Sequence, residues 1–177
     1  MKTHLSLVLI AALALAGCAG SSKSADVSVS VRRSLDDAGL RDVSVNQDRE
    51  KGIVTLGGHV SNEQDKARAE SLARPLAAGQ VVAMEVAVIP VGDEALAKAV
   101  NKDLDMGIEH NVDAALLRAR LHDSVKYEVK NAVVTLSGEV QSQTIRATAE
   151  DIASRVPNVK QVVNTLQIKG QKATSSN

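Results

Sequence analysis

Aromatic side chains are almost missing from this 177-residue chain: Tyr127 is its single tyrosine, and it has neither tryptophan nor phenylalanine. That shortage argues against base-stacking platforms for nucleic acid and ring-stacking sites for carbohydrate, which both need aromatic faces. Net charge is missing as well. The 21 Lys plus Arg balance 21 Asp plus Glu, so the basic footprint of a duplex-DNA binder is absent and no nucleic-acid partner is expected. Cysteine occurs once, at Cys18, so the fold must persist in an oxidising compartment without an internal disulfide. What is present is an apolar fraction of 44% against 24% charged residues, the balance of a folded chain rather than a disordered one. Without rings, its core has to be built from Val, Leu, Ile and Ala.

The first residues read as an address. Lys2 supplies the positive start, and Leu5 to Ala14 form an uncharged apolar run. Ten residues are too few to span a bilayer, which takes about 20, so the run is a secretory signal core. Leu15-Ala16-Gly17-Cys18 follows and matches the bacterial lipobox. Cleavage there removes residues 1–17 and leaves Cys18 to be acylated, which anchors the protein to a membrane. Ala19, in place of an aspartate after the cysteine, fits outer-membrane rather than inner-membrane retention. Residues 18–25 then read as a lipidated, flexible tether and 170–177 as a polar, disordered tail.

The body is one unit written twice. At an offset of 80, Ile53-Val54-Thr55-Leu56-Gly57-Gly58-His59-Val60 lies over Val133-Val134-Thr135-Leu136-Ser137-Gly138-Glu139-Val140. Ala69, Ala73, Val82 and Val86 fall likewise on Ala149, Ala153, Val162 and Leu166. Upstream the offset becomes 81, with Val27, Val31, Leu35 and Leu40 over Ile108, Val112, Leu116 and Leu121. Each copy reads helix, strand, strand, helix, strand. Spacing of i, i+4, i+8 marks the first helix. Alternating Val43 and Val45, or Val125, Tyr127 and Val129, then lead through a turn into the repeated strand as a hairpin. Ser61 or Asn62 is the expected cap of the next helix, whose inner side is Ala67, Ala69, Leu72, Ala73 and Leu76. The last strand of the second copy is expected over 159–168. The domains are therefore 26–91 and 107–169, with a short helical linker over 92–106. Units this small bury only about 60% of their surface, so the two should pack on each other or be braced by the linker.

No enzyme signature stands in the mature chain. His59, His110 and His122 lack an i+4 histidine or nearby cysteine, so no metal site and no cofactor is expected. Asp36-Asp37 and Glu150-Asp151 are adjacent pairs on exposed helix faces rather than a spaced acid and base. Gly57, Gly58 and Gly138 are isolated in strands, where a bulge or close backbone approach explains them better than a phosphate loop.

One asymmetry between the copies carries information. At the offset of 81, Asp36, Asp37 and Gly39 are replaced by Leu117, Arg118 and Arg120. The second copy's helix already has a core stripe in Ile108, Val112, Ala115, Leu116 and Ala119. Leu117 and Leu121, with Ala114, make a second stripe about 100° away, edged by Arg118 and Arg120. Apolar residues beside arginines suit an anionic membrane surface; the same stripe also suits packing against the first domain, or simple exposure. The first unit carries 8 basic and 10 acidic residues, the second 8 and 7.

The helix–strand–strand–helix–strand unit, with Val-Thr-Leu-Gly-Gly and Val-Thr-Leu-Ser-Gly on its second strand, resembles the BON domain. Two such units behind a lipobox are similar to the dual-BON outer-membrane lipoproteins (the DolP-like proteins), relatives of osmotically inducible periplasmic BON proteins. The resemblance implies an α+β fold, each unit α-β-β-α-β with helices packed on one face of a small mixed sheet. It also implies no catalysis, binding to anionic phospholipid, and support of outer-membrane integrity from an anchored position facing the periplasm. In that family the first helix of the second unit contacts phospholipid, which points here to Leu117, Arg118, Arg120 and Leu121. The alternative is a periplasmic scaffold that grips outer-membrane assembly proteins or a secretion machine.

Overall fold

The computed structural model describes residues 23–92 and 94–170. The signal, Cys18, the first part of the tether and residues 171–177 lie outside the described residues. The first unit runs α1 (Ser28–Asp37), β1 (Val43–Asp48), β2 (Ile53–Val60), α2 (Glu63–Leu76), β3 (Val81–Met84) and β4 (Ala87–Val88). The second runs α3 (Glu94–Arg118), β5 (Val125–Lys130), β6 (Val133–Val140), α4 (Gln143–Ser154), β7 (Gln161–Asn164) and β8 (Gln167–Ile168). In each, the repeated strand is central. β2 pairs antiparallel with β1 and parallel with β3 and β4, and β6 does the same with β5, β7 and β8. The architecture is α+β, two small mixed sheets each covered by helices on one face.

Alternation along the central strand decides which side is covered. Val54 and Leu56 face α1 and α2 and join Val31, Leu35, Ala69 and Ala73 in the first core; Val134 and Leu136 join Val112, Leu116, Ala149 and Ala153 in the second. The fully buried alanines of α2 and α4 let those helices lie close on the sheet, which substitutes for missing aromatic bulk. Ala67, expected on that inner side, is exposed instead. It lies two residues, about 200°, from Ala69 on the helix. Asn62 caps α2 by accepting from the Asp65 amide at 2.8 Å, and Ser142 caps α4 through the Ile145 amide at 3.3 Å.

The glycine of the repeated Val-Thr-Leu-x-Gly strand has a steric cause. Gly58 (φ +84°) and Gly138 (φ +120°) lie opposite Val43 and Val125, and a Cβ on either would collide with the carbonyl oxygen of Asp42 or Ser124. Both are left-handed positions that favour glycine, so they are backbone contacts and not ligand loops.

Three expectations change. The linker is not a separate element: α3 is one 25-residue helix that carries residues 94–106 straight into the second unit. Gly107 is the only helix-weakening residue at that junction, and a single glycine costs about 1 kcal/mol, too little to stop a helix with packed flanks. The end of the tether is held, not free. Ser24 and Arg49 exchange two bonds at 2.9 and 2.8 Å, and Ala25 O accepts from Gln47 and Gln80 at 2.7 and 3.0 Å. The last strand is broken into β7 and β8, with Thr165 turning its hydroxyl onto Leu136 O at 2.7 Å.

The two units touch directly. On the sheet faces away from the helices, Ile53 and Ala83 meet their own counterparts Val133 and Val163 in a small shared core. Beside it, the Gln161 side chain extends the edge of β3, donating to Val82 O at 2.8 Å and accepting from the Met84 amide at 2.9 Å. Asn131 donates to Glu85 O at 2.6 Å and Lys130 pairs with the Glu85 carboxylate at 2.9 Å, a bond that raises the lysine's pKa. Asp105, in the linker half of α3, holds the β5–β6 turn, a brace within the second unit rather than between the two.

Candidate functional site

The candidate surface is the C-terminal end of α3 and the turn after it. Leu116 is fully buried in the second core, while the next residue, Leu117, is 62% exposed. Arg118 closes the helix and is exposed, as is Arg120. The helix ends in a Schellman turn. Arg120 donates its amide to Leu117 O at 3.0 Å, Leu121 to Leu116 O at 2.9 Å, and Arg120 takes a left-handed φ of 58°. The hydrophobic contact of that turn is Leu121 against the core that holds Leu116, which leaves Leu121 half-buried.

The four residues named from the sequence thus do not form a continuous exposed stripe. Leu121 is the inner anchor of the turn and Ala114 is half-buried. Leu117, Arg118 and Arg120 remain together at the surface. The first unit does not cover Leu117, so packing between the domains, one of the three uses considered for this stripe, is not its role. Inter-domain packing falls on the outer sheet faces instead.

The corresponding turn of the first unit shows what changed. There Gly39 occupies the left-handed position at φ +80°, with Gly39 and Leu40 donating to Asp36 O and Leu35 O at 3.0 and 2.9 Å. Asp36 pairs with Arg32 at 2.7 Å, and Arg32 also caps the Leu40 carbonyl at 3.1 Å. In the second unit Arg32 has become Asp113 and Asp36 has become Leu117, so this internal pair is gone. Asp113 accepts instead from Tyr127 Oη at 2.8 Å, and His122 Nε2 lies 3.0 Å from it. Burial, helped by that bond, pushes the Tyr127 phenol up to about 12. Among the described residues, no hydrogen bond or ion pair occupies the Arg118 or Arg120 guanidinium. Both sit where the helix dipole favours a cation.

No constellation for catalysis accompanies this surface. His59 and His110 are exposed and far apart in sequence, and no group of three metal-ligating side chains occurs among the described residues. Asp151 pairs with Arg155 at 2.9 Å and Glu150 accepts from Asn164 at 3.0 Å, so the acidic pair of α4 is engaged locally. Open grooves among the described residues include one of about 450 Å³ between α4 and β7 and one of about 410 Å³ between α3 and the β5–β6 turn. Among the described residues, no helix is long and apolar enough to cross a membrane.

Comparison with curated proteins gives no match. Among solved structures, the chain is similar to CdsD, a structural protein of the type III secretion system of Chlamydia trachomatis. The likeness is 12% in sequence with a TM-score of 0.33, covering 78% of this chain and 90% of that one. The C-terminal domain of CdsD gives 12% and 0.34, covering 83% and 99%. The BON domain model matches twice, over residues 22–90 and 93–170. Those two matches take in both α-β-β-α-β units, and the chain belongs to the BON domain family, as two BON domains in tandem.

Proposed function

We propose that this protein is a lipid-anchored, non-enzymatic component of the bacterial envelope that binds anionic phospholipid through its second BON domain. Cys18 provides the anchor at the outer membrane, facing the periplasm, and Leu117, Arg118 and Arg120 provide the contact, with Leu121 holding their turn in place. The observation that carries this reading is Arg120. It occupies a left-handed position where the first unit has glycine, at a cost of about 1 kcal/mol, and its guanidinium has no intramolecular partner among the described residues. Beside an exposed leucine and a second arginine without a partner, it makes a cationic, partly apolar tip where the first unit has Asp36, Asp37 and Gly39. Arginines then attract anionic headgroups, and Leu117 enters the interface between them. With no aromatic anchor, the body of the protein binds weakly and the acylated cysteine supplies residence.

The test is co-sedimentation of a chain starting at residue 19, which keeps every described residue, with neutral and with anionic vesicles at two salt concentrations. Binding should be selective for anionic lipid and weaken with salt. Replacing both Arg118 and Arg120 by Glu should abolish it. Binding that survives this double change would place the contact elsewhere. Absence of binding to either vesicle would leave the anchor as the only membrane address and favour a scaffold for outer-membrane assembly proteins.

A further inference from the structure

The 25 residues of α3 bury one side only. Ile108, Val112 and Leu116 point into the second core, and Asn101 and Asp105 line the groove toward the β5–β6 turn. The opposite side is open from Leu96 to Leu117 except at half-buried Ala114. Leu96, Val100 and Leu117 on it are 66%, 55% and 62% exposed, and Asp103, Gly107 and His110 between them are exposed as well. These positions, with half-buried Ala114, follow one another at steps of 4, 3, 4, 3, 4 and 3 from residue 96 to 117. At 100° per residue all seven fall within an arc of about 100°. They drift by about 20° per heptad, the pattern that winds two helices into a left-handed pair.

The seam is also complementary to itself when reversed. Taking Gly107 as the centre, Val100 and Ala114 are equidistant from it, and Asp103 and His110, like Leu96 and Leu117, match to within one residue, about 1.5 Å along the axis. Two copies crossing antiparallel at Gly107 therefore set Asp103 of each against His110 of the other. An imidazole N–H donates to a carboxylate whether or not the ring is charged. A parallel pair in the same register would face Asp103 with Asp103 and His110 with His110. Polar residues at seam positions select register and orientation in this way, at a cost in affinity. No neighbouring atom lies within 4 Å of a Cβ built at Gly107, so that point is open for a second backbone to approach.

We propose that this face of α3 binds a second copy of the chain, forming a two-fold antiparallel dimer centred on Gly107. Such an interface is isologous, each copy giving the same surface. Its polar centre makes it weak and concentration-dependent. The occupant is argued from charge and shape: an anionic lipid surface gains nothing from Asp103 in mid-seam, whereas a reversed copy satisfies it twice.

The proposal is tested by sedimentation velocity of the chain from residue 19, at micromolar to millimolar concentration. A monomer–dimer equilibrium is expected, weakened at least tenfold by Val100→Glu or by His110→Asp, which leaves four carboxylates at the seam. Combining Asp103→His with His110→Asp exchanges the partners and should restore the wild-type affinity. A single cysteine at the centre, Gly107→Cys, should cross-link to itself on oxidation. A monomer at every concentration would overturn the proposal. So would a dimer indifferent to His110→Asp, or a monomer whose vesicle binding is lost in Val100→Glu, which would assign the seam to lipid. Arg118 and Arg120 are untouched by these variants, so failure here is distinguishable from failure of the phospholipid reading; Leu117, at the end of the seam, meets lipid in the monomer and the other copy in the dimer.

Discussion

The Asp105 carboxylate reaches across from α3 to hold Ala132, accepting its backbone amide at 2.8 Å while the other oxygen accepts that of Asn131 at 2.8 Å. Both turn residues are left-handed, at φ 49° and 65°. The first unit has glycine at the position of Ala132, Gly52, with φ 66°. The half of α3 that began as a linker thus braces the hairpin of the second domain and compensates its strained turn.

Removing that brace should be costly. Asp105→Ala deprives two amides of a charged acceptor and is expected to lower unfolding free energy by about 2 kcal/mol. Ala132→Gly should be close to neutral. It relieves a left-handed residue worth roughly 1 kcal/mol but removes a buried methyl worth about 0.8 kcal/mol. Urea denaturation of the two variants beside wild type measures both.

Tyr127 is the chain's only aromatic residue, so its ionisation reads directly at 295 nm. The phenol titrates near pH 12 in the folded protein against about 10 in an unfolded chain. Because the folded state holds the proton more tightly, the stability linked to it is complete below pH 10 and is lost as pH rises from 10 to 12. Burial is the main cause and the Asp113 bond the second. Asp113→Ala should therefore bring the midpoint down toward 10 without taking it all the way, and a midpoint that stays put would remove Asp113 from the account.

Arg120 should trade stability against binding. Arg120→Gly restores the residue of the first unit at a left-handed helix terminus and is expected to stabilise the fold by about 1 kcal/mol. The same change should weaken sedimentation with anionic vesicles. Thermal melting and co-sedimentation of one variant separate the two effects. A variant that melts higher and binds as before would show the arginine to be unconnected with lipid.

Much of the fold was legible because its signals are local. The i, i+4, i+8 spacing of Val27, Val31 and Leu35 belongs to a helix in any context, and alternation at Val43 and Val45 to a strand. The recurrence of both at offsets of 80 and 81 made the duplication plain. The candidate surface was visible only in part. Substitution of Gly39 by Arg120 could be read by aligning the copies, but its left-handed backbone could not. Leu121 looked like a neighbour of Leu117 on an open stripe. In the folded chain the helix has already ended, and the turn carries Leu121 back onto the core.

Composition, period and repetition determined the class of the protein: two α+β units with aliphatic cores. Each of those rests on residues within a turn or a strand of one another, or on identity between copies. The tertiary structure alone decided that linker and first helix are one element, that Ile53, Ala83, Val133 and Val163 share a core, and that Gln161 joins the edge of β3. These pairings span tens of residues, and no short-range pattern specifies which of two exposed faces finds the other. It decided too which flank of α3 stays open. Exposure is what remains after every competing surface has been covered, and only the complete fold determines that remainder.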